Sequence, residues 1–143
     1  MSQPSAPSGG FAPKLLRSDA EWRQLLSPAQ LRVLREQATE PPFSGIYETE
    51  FAPGIYRCGG CGAVLFSSLA KFDSGCGWPA FDAPANSGSI AERVDRSHGM
   101  IRTEVLCAHC GGHLGHVFPD GPTESGLRYC INSLALAFEP ESE

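Results

Sequence analysis

Two Cys-x-x-Cys units constrain this chain more than any other feature. Cys58 and Cys61 form the first, Cys107 and Cys110 the second, with residues 62–106 between them. Four thiolates in such paired spacing suit a tetrahedral, closed metal site, and a closed four-thiolate site is structural rather than catalytic. Each knuckle needs a tight turn to aim two sulfurs at one ion. Gly59, Gly60, Gly62 and Gly111 supply backbone freedom for those turns. The long intervening segment must then be a structured insertion that leaves the first knuckle and returns to the second. Two thioredoxin-like redox pairs are the competing reading, but such pairs open a helix in a βαβ unit, and no such pattern surrounds either one.

Two cysteines remain. Cys76 lies in Ser74-Gly75-Cys76-Gly77-Trp78-Pro79-Ala80-Phe81, and Cys130 in Arg128-Tyr129-Cys130-Ile131-Asn132-Ser133. If the second run begins a strand, Arg128, Cys130 and Asn132 share a face. A guanidinium beside a thiol favours the thiolate, the nucleophilic form, and an amide there can orient a substrate or water. A buried structural cysteine is the alternative, against which the polar neighbours count. Around Cys76 the glycines imply a mobile or tightly turned loop. Trp78 is either a buried Trp-Pro corner or the aromatic wall of a small apolar pocket beside a resolving thiol.

Directly after the second knuckle comes Gly112-His113-Leu114-Gly115-His116-Val117-Phe118-Pro119-Asp120-Gly121-Pro122. Two histidines three apart could be a metal pair, a loop or an edge strand, and a loop is the favoured reading. Near a nucleophile they become candidate acids close to neutral pH. A zinc hydrolase or deaminase using them is disfavoured, because the His-x-Glu with Pro-Cys-x-x-Cys pattern is absent. His109, inside the second knuckle, is an alternative ligand only if a cysteine drops out.

The N-terminal third reads as scaffold. Ser18 with Glu21 and Ser27 with Gln30 match capping boxes, the second with Pro28 at the first helical position. Trp22, Leu25, Leu26, then Leu31, Val33, Leu34 and Ala38 follow at helical spacing, ending before Glu40-Pro41-Pro42. Beyond Pro42, β-formers come in short runs: 55–57, 63–66, 101–106 and 129–138. This predicts short helices ahead of a compact, mainly β, mostly antiparallel domain. Residues 1–17, rich in Ser, Pro, Gly and Ala at their start, are expected to be a disordered tail, and 18–139 the domain. The start does not read as a secretory signal, and no apolar run approaches about 18 residues, so no membrane span is expected. A net charge of −5 argues against a nucleic-acid partner. Paired Cys-x-x-Cys units without a signal favour a reducing cytoplasm over a set of three disulfides.

These motifs, in this order from about Ser18 to Phe138, resemble the peptide-methionine (R)-S-oxide reductase family, MsrB, in its zinc-containing form with a resolving cysteine. The resemblance implies two antiparallel sheets in one zinc-stabilised domain with short N-terminal helices. It implies reduction of methionine-R-sulfoxide, free or in proteins, with thioredoxin as reductant, in protein repair by a cytoplasmic monomer. Cys130 falls on the family's nucleophile and Cys76 on the resolving cysteine. Trp78 falls on the wall for the substrate methyl group, with Phe118 also on the substrate side. His113, His116, Asp120, Arg128 and Asn132 match its polar active-site set. Glu104 resembles a carboxylate near the sulfoxide oxygen, and His98 in Ser97-His98-Gly99-Met100 is a further candidate. One structural Zn2+ on Cys58, Cys61, Cys107 and Cys110 completes what it implies.

Overall fold

A computed structural model describes residues 15–86 and 88–141. The expected tail falls mostly outside them, since only its residues 15–17 are included. There the Leu15 N–H donates to the His109 carbonyl at 2.7 Å.

Both capping boxes form. Ser18 starts α1, Asp19–Leu25, and Ser27 starts α2, Pro28–Glu36, each serine accepting from the N3 amide while the N3 side chain accepts from the cap amide. Helix α2 stops earlier than its apolar spacing predicts. Gln37 turns into the left-handed region at φ 60°, so Ala38 lies outside the helix. In that position the Gln37 side chain donates to Glu104 Oε2 at 2.9 Å, a long-range contact that local spacing does not encode.

Among the described residues, nine strands form two antiparallel sheets. β1, Gly54–Cys58, lies between β2, Val64–Ser67, and β9, Leu136–Pro140. The larger sheet runs β3, Lys71–Phe72; β4, Ala80–Phe81; β8, Arg128–Ile131; β7, His113–Phe118; β6, Arg102–Cys107; β5, Ile90–Asp95. The run 129–138, read as one strand, is two. A 3-10 turn at Ser133–Ala135 sends β8 out of the large sheet and β9 into the small one. Aromatic and aliphatic side chains fill the core between the sheets, with Phe66 stacked on Phe81 at 4.3 Å and Leu65, Val105, Leu114, Tyr129 and Ile131 buried around them. Among the described residues no helix is long and apolar enough to cross a membrane.

The histidine run is a third correction. Instead of a loop it is β7, an inner strand buried along nearly its whole length. Its pairing with β6 shifts register, so that Val105 faces Gly115 while Leu106 faces His113. The extra residue, Leu114, places His113 and His116 on one face although they are three apart. Gly115 is required by close approach, since a Cβ there would overlap the Cys130 carbonyl of β8.

Candidate active site

Strand register assembles the site. Directly opposed residues of antiparallel strands share a face. Arg93 of β5 faces Glu104, Glu104 faces His116, His116 faces Cys130, and Cys130 faces Ala80. One row therefore crosses five strands on the face away from the aromatic core. The last pairing also delivers Cys76, which precedes Ala80 by four residues. The short β4–β8 ladder thereby closes a loop of 53 intervening residues, and the sulfurs of Cys76 and Cys130 stand 3.1 Å apart. Within the Cys76 loop, Asp73 accepts from the Gly75 amide and Ser74 from the Cys76 amide. Gly75 and Gly77 take φ 73° and 96°, which L side chains rarely adopt.

A cavity of about 340 Å³ opens over this face, walled by Trp78, His116, Phe118, Arg128, Cys130 and Asn132, with Thr39, Cys76, Arg102 and Gly115. Cys130 is 9% exposed, and Arg128 Nη1 donates to its sulfur at 2.7 Å. Arg128 is itself fixed by a two-pronged bond to Asp120, 2.8 and 3.0 Å, and lies over the Phe118 ring at 4.6 Å. That fork keeps the guanidinium aimed at the thiol.

The thiols act as a pair. The hydrogen bond from Cys130 draws the pKa of the Cys76 thiol down to about 5. The same bond, then burial, pushes Cys130 up, against the pull of Arg128. Two sulfurs 3.1 Å apart titrate together: one proton leaves easily and the second with difficulty. The pair holds one thiolate and one thiol, and the guanidinium contact stabilises the charge whenever the proton sits on Cys76 and the charge on Cys130.

His116 donates or accepts at Nε2 with Asp95 Oδ2, 2.7 Å away. Burial, ahead of Arg102 and His113, lowers its pKa against the pull of Asp95, so neutral imidazole is favoured at neutral pH. Asp95 is held well below the usual carboxylate range, first by the Ser97 hydroxyl and then by His116. As an ionised acceptor it receives a hydrogen bond from Nε2–H, which leaves Nδ1 of neutral His116 as a base.

Several expected residues are placed differently. Glu104, expected beside the sulfoxide oxygen, is 0% exposed and does not line the cavity. Burial works to raise its pKa, but bonds from His113 at 2.7 Å, Gln37 and Arg93 prevail and keep it low. His113 is likewise beneath the wall, its ring 5.5 Å from that of His116. Asp120 reaches the thiol only through Arg128. Asn132 lines the cavity, yet its Oδ1 accepts from the Glu40 amide and its Nδ2 donates to the Leu114 carbonyl, both at 2.9 Å. Those bonds spend its amide on backbone. His98 sits exposed between β5 and β6.

Asp95, Arg102 and Glu40 join the site without having stood out in the sequence. Arg102 alternates with Glu104 on β6, so strand parity could have flagged it. Asp95 stands opposite Arg102 in the ladder, a register no local motif states. Glu40 joins α2 to the site: its carbonyl accepts from the Trp78 indole at 3.0 Å, its amide binds Asn132, and its Oε1 accepts from the Leu134 amide.

The four other cysteines lie apart from this cavity. Cys58 ends β1 and Cys107 ends β6. The turns close through Gly62 N–H to Cys58 O and Gly111 N–H to Cys107 O, at 2.9 and 2.8 Å. Only Gly62 and Gly111 use positive φ, 83° and 77°; Gly59 and Gly60 do not. All four sulfurs lie within 4.8 Å of one another, with Cys58–Cys110 at 3.7 Å and Cys61–Cys107 at 3.6 Å. A tetrahedron with metal–sulfur bonds of about 2.3 Å has edges of about 3.8 Å, so the set fits a metal ion such as zinc. His109 is not part of this group.

A family model described as "SelR domain" matches residues 26–140, most of the chain. Among curated proteins, "Peptide methionine sulfoxide reductase MsrB" of Bradyrhizobium diazoefficiens is 61% identical over 138 residues, covering 96% of this chain and 99% of that protein. The protein of the same description from Thiobacillus denitrificans is 59% identical over 125 residues, covering 87% and 95%. That from Agrobacterium fabrum is 54% identical over 129 residues, covering 90% and 96%.

Proposed function

Since this chain belongs to the MsrB family, and is therefore a peptide-methionine (R)-S-oxide reductase acting in methionine sulfoxide repair, we propose how its own residues carry out that reduction. The observation that carries the reading is Cys130, 2.7 Å from a guanidinium and 3.1 Å from a second thiol, at the wall of a cavity with Trp78.

The sulfoxide enters with its methyl group against Trp78 and Phe118. The Cys130 thiolate attacks, the sulfur–oxygen bond breaks, and the oxygen passes to Cys130 with one proton. The products are a Cys130 sulfenic acid and the thioether. His116 delivers that proton: Nδ1 takes it from solvent and gives it to the oxygen, so that Cys76 keeps its own, while Asp95 stabilises the transient imidazolium. Glu104 and His113 support His116 from below, and Asp120 acts by aiming Arg128. The Cys76 thiol then condenses with the sulfenic acid, releasing water and forming a Cys76–Cys130 disulfide. With the sulfurs already at 3.1 Å, this step needs no large loop excursion. Asn132 ties the end of β8 to Glu40, and so to the Trp78 wall. A reduced thioredoxin returns both thiols by exchange.

Cys58, Cys61, Cys107 and Cys110 would hold one zinc ion, which would lock the ends of β1 and β6 together and take no part in the reaction. The enzyme works as a cytoplasmic monomer. Cys130→Ser should reduce dithiothreitol-supported turnover of methionine-R-sulfoxide by on the order of a thousandfold or more. Unchanged turnover in that variant would refute the scheme.

A further inference from the structure

The run Ser97-His98-Gly99-Met100, singled out in the sequence for its histidine, contributes no residue to the wall of the substrate cavity. What it brings to the site is Ser97. Strand β5 ends at Asp95, and the chain then makes a 3-10 turn over Ser97–Gly99 before entering β6. Within that turn His98 takes φ 58° and Gly99 φ 69°, and the Met100 amide closes it on the Ser97 carbonyl at 3.1 Å. A histidine in the left-handed region is uncommon and persists where its surroundings fix it. The turn brings Ser97 onto Asp95. The Ser97 backbone N–H and hydroxyl both donate to Asp95 Oδ1, at 2.9 and 2.7 Å.

The two oxygens of Asp95 thus have separate tasks. Oδ1 accepts from Ser97, whereas Oδ2 meets His116 Nε2 at 2.7 Å and Arg102 Nη2 at 3.3 Å. A carboxylate turns easily about its last side-chain bond, whose preferences are broad and two-fold. Two donors on one oxygen remove that freedom and fix where the other oxygen points. We propose that Ser97 is a positioning residue for the reduction: through Asp95 it holds the His116 ring and its Nε2–H tautomer, leaving Nδ1 to serve the sulfoxide oxygen. The inference rests on His116 as the proton donor to that oxygen. Ser97 itself is exposed and outside the cavity. Among the described residues, Asp95 is the one hydrogen-bond partner of its hydroxyl.

The Ser97 hydroxyl is also the first cause of the low Asp95 pKa, ahead of His116. The charge that stabilises the imidazolium is therefore in place and aimed before the proton arrives, with no reorganisation left for the reaction itself. Other groups around His116 do not replace it. Arg102 on β6 is a cation, and Glu104, opposite His116 in the ladder, is engaged by His113, Gln37 and Arg93. His113 lies 5.5 Å away ring to ring. Cys130 stands opposite on β8, with Cys76 and Arg128 bonded to its sulfur.

Ser97→Ala removes the hydroxyl and Ser97→Thr keeps it. In a single turnover without reductant, followed by the loss of free thiols, Ser97→Ala should slow the reaction about tenfold, a fraction of the roughly 10²–10⁴ that a placed acid contributes. The sulfoxide concentration giving half the maximal rate should not change, and Ser97→Thr should restore the rate. The alkaline limb of the rate–pH profile should move to lower pH in Ser97→Ala, because a loosely held Asp95 raises the His116 pKa less. In a His116→Gln background, Ser97→Ala should have no further effect, whereas a residue that only supports the fold adds its loss to any background. An unchanged rate in Ser97→Ala, no restoration by Ser97→Thr, or additive losses in the double variant would overturn the proposal. A full rate in His116→Gln alone would instead overturn the reading on which it rests.

Discussion

Cys58, Cys61, Cys107 and Cys110 gather within 4.8 Å at the ends of β1 and β6, while Cys76 and Cys130 meet at 3.1 Å where a loop abuts β8. Both groups close long sequence separations, and both bring sulfur to sulfur. They differ in what surrounds the sulfurs. The four are ringed by their own turn backbones and by packed groups: Arg35 Nη1 donates to the Cys110 carbonyl at 3.0 Å, and Trp22 and Leu34 cover Gly60 and Gly112. Their sulfurs face inward on one another. The pair has a cavity, a guanidinium and a histidine–carboxylate couple. Thiol chemistry is thus assigned by the neighbours: four thiolates facing one another suit an ion, whereas two facing a cation and a cavity suit redox exchange.

The sharpest way to break this contrast is to remove one member of the first group. Cys107→Ser should lose the metal and lower the melting temperature by at least about 10 °C. Structural zinc contributes directly to folding free energy, and each kcal/mol is worth about 2–4 °C in a domain near this size. Metal content by mass spectrometry and a melting curve check both. A metal-free variant with an unchanged melting temperature would make the knuckles ornamental.

A smaller effect probes the second group. Cys76 titrates low, at about 5, chiefly because Cys130 donates to it. The single thiolate that the pair shares is therefore present above about pH 5 and lost as pH falls through that value. Replacing Cys130 by serine substitutes a weaker partner, so the midpoint should climb toward the ordinary thiol value of about 8.5. The pH dependence of iodoacetamide labelling at Cys76 reads this directly. An ordinary midpoint in the unaltered protein would show that the two sulfurs do not share a proton.

What can be read from the sequence is local. Capping boxes involve residues three apart, and Cys-x-x-Cys turns carry their own spacing, so α1, α2 and the metal group are legible. The active-site motifs are legible as motifs, while their placement is not. Gly115 and the register shift in β7 look like loop residues until β8 is known to pass close by. Glu104 reads as an active-site carboxylate only through the family resemblance, and Gln37, one of the partners that hold it beneath the cavity, lies 67 residues away in the chain. Asp95 has no signal at all, since its function comes from lying three strands from Cys130 and one hydrogen bond from His116. The end of α2 shows the same logic: Gln37 leaves the helix for a long-range partner.

The division of labour between the six cysteines is tested most directly by mass spectrometry of the metal-loaded protein after one equivalent of methionine-R-sulfoxide, without reductant. The expected product is a single Cys76–Cys130 disulfide, with Cys58, Cys61, Cys107 and Cys110 unoxidised and alkylated only after the metal is stripped. A disulfide or sulfenic acid on any of those four, with Cys76 still a free thiol, would contradict the account.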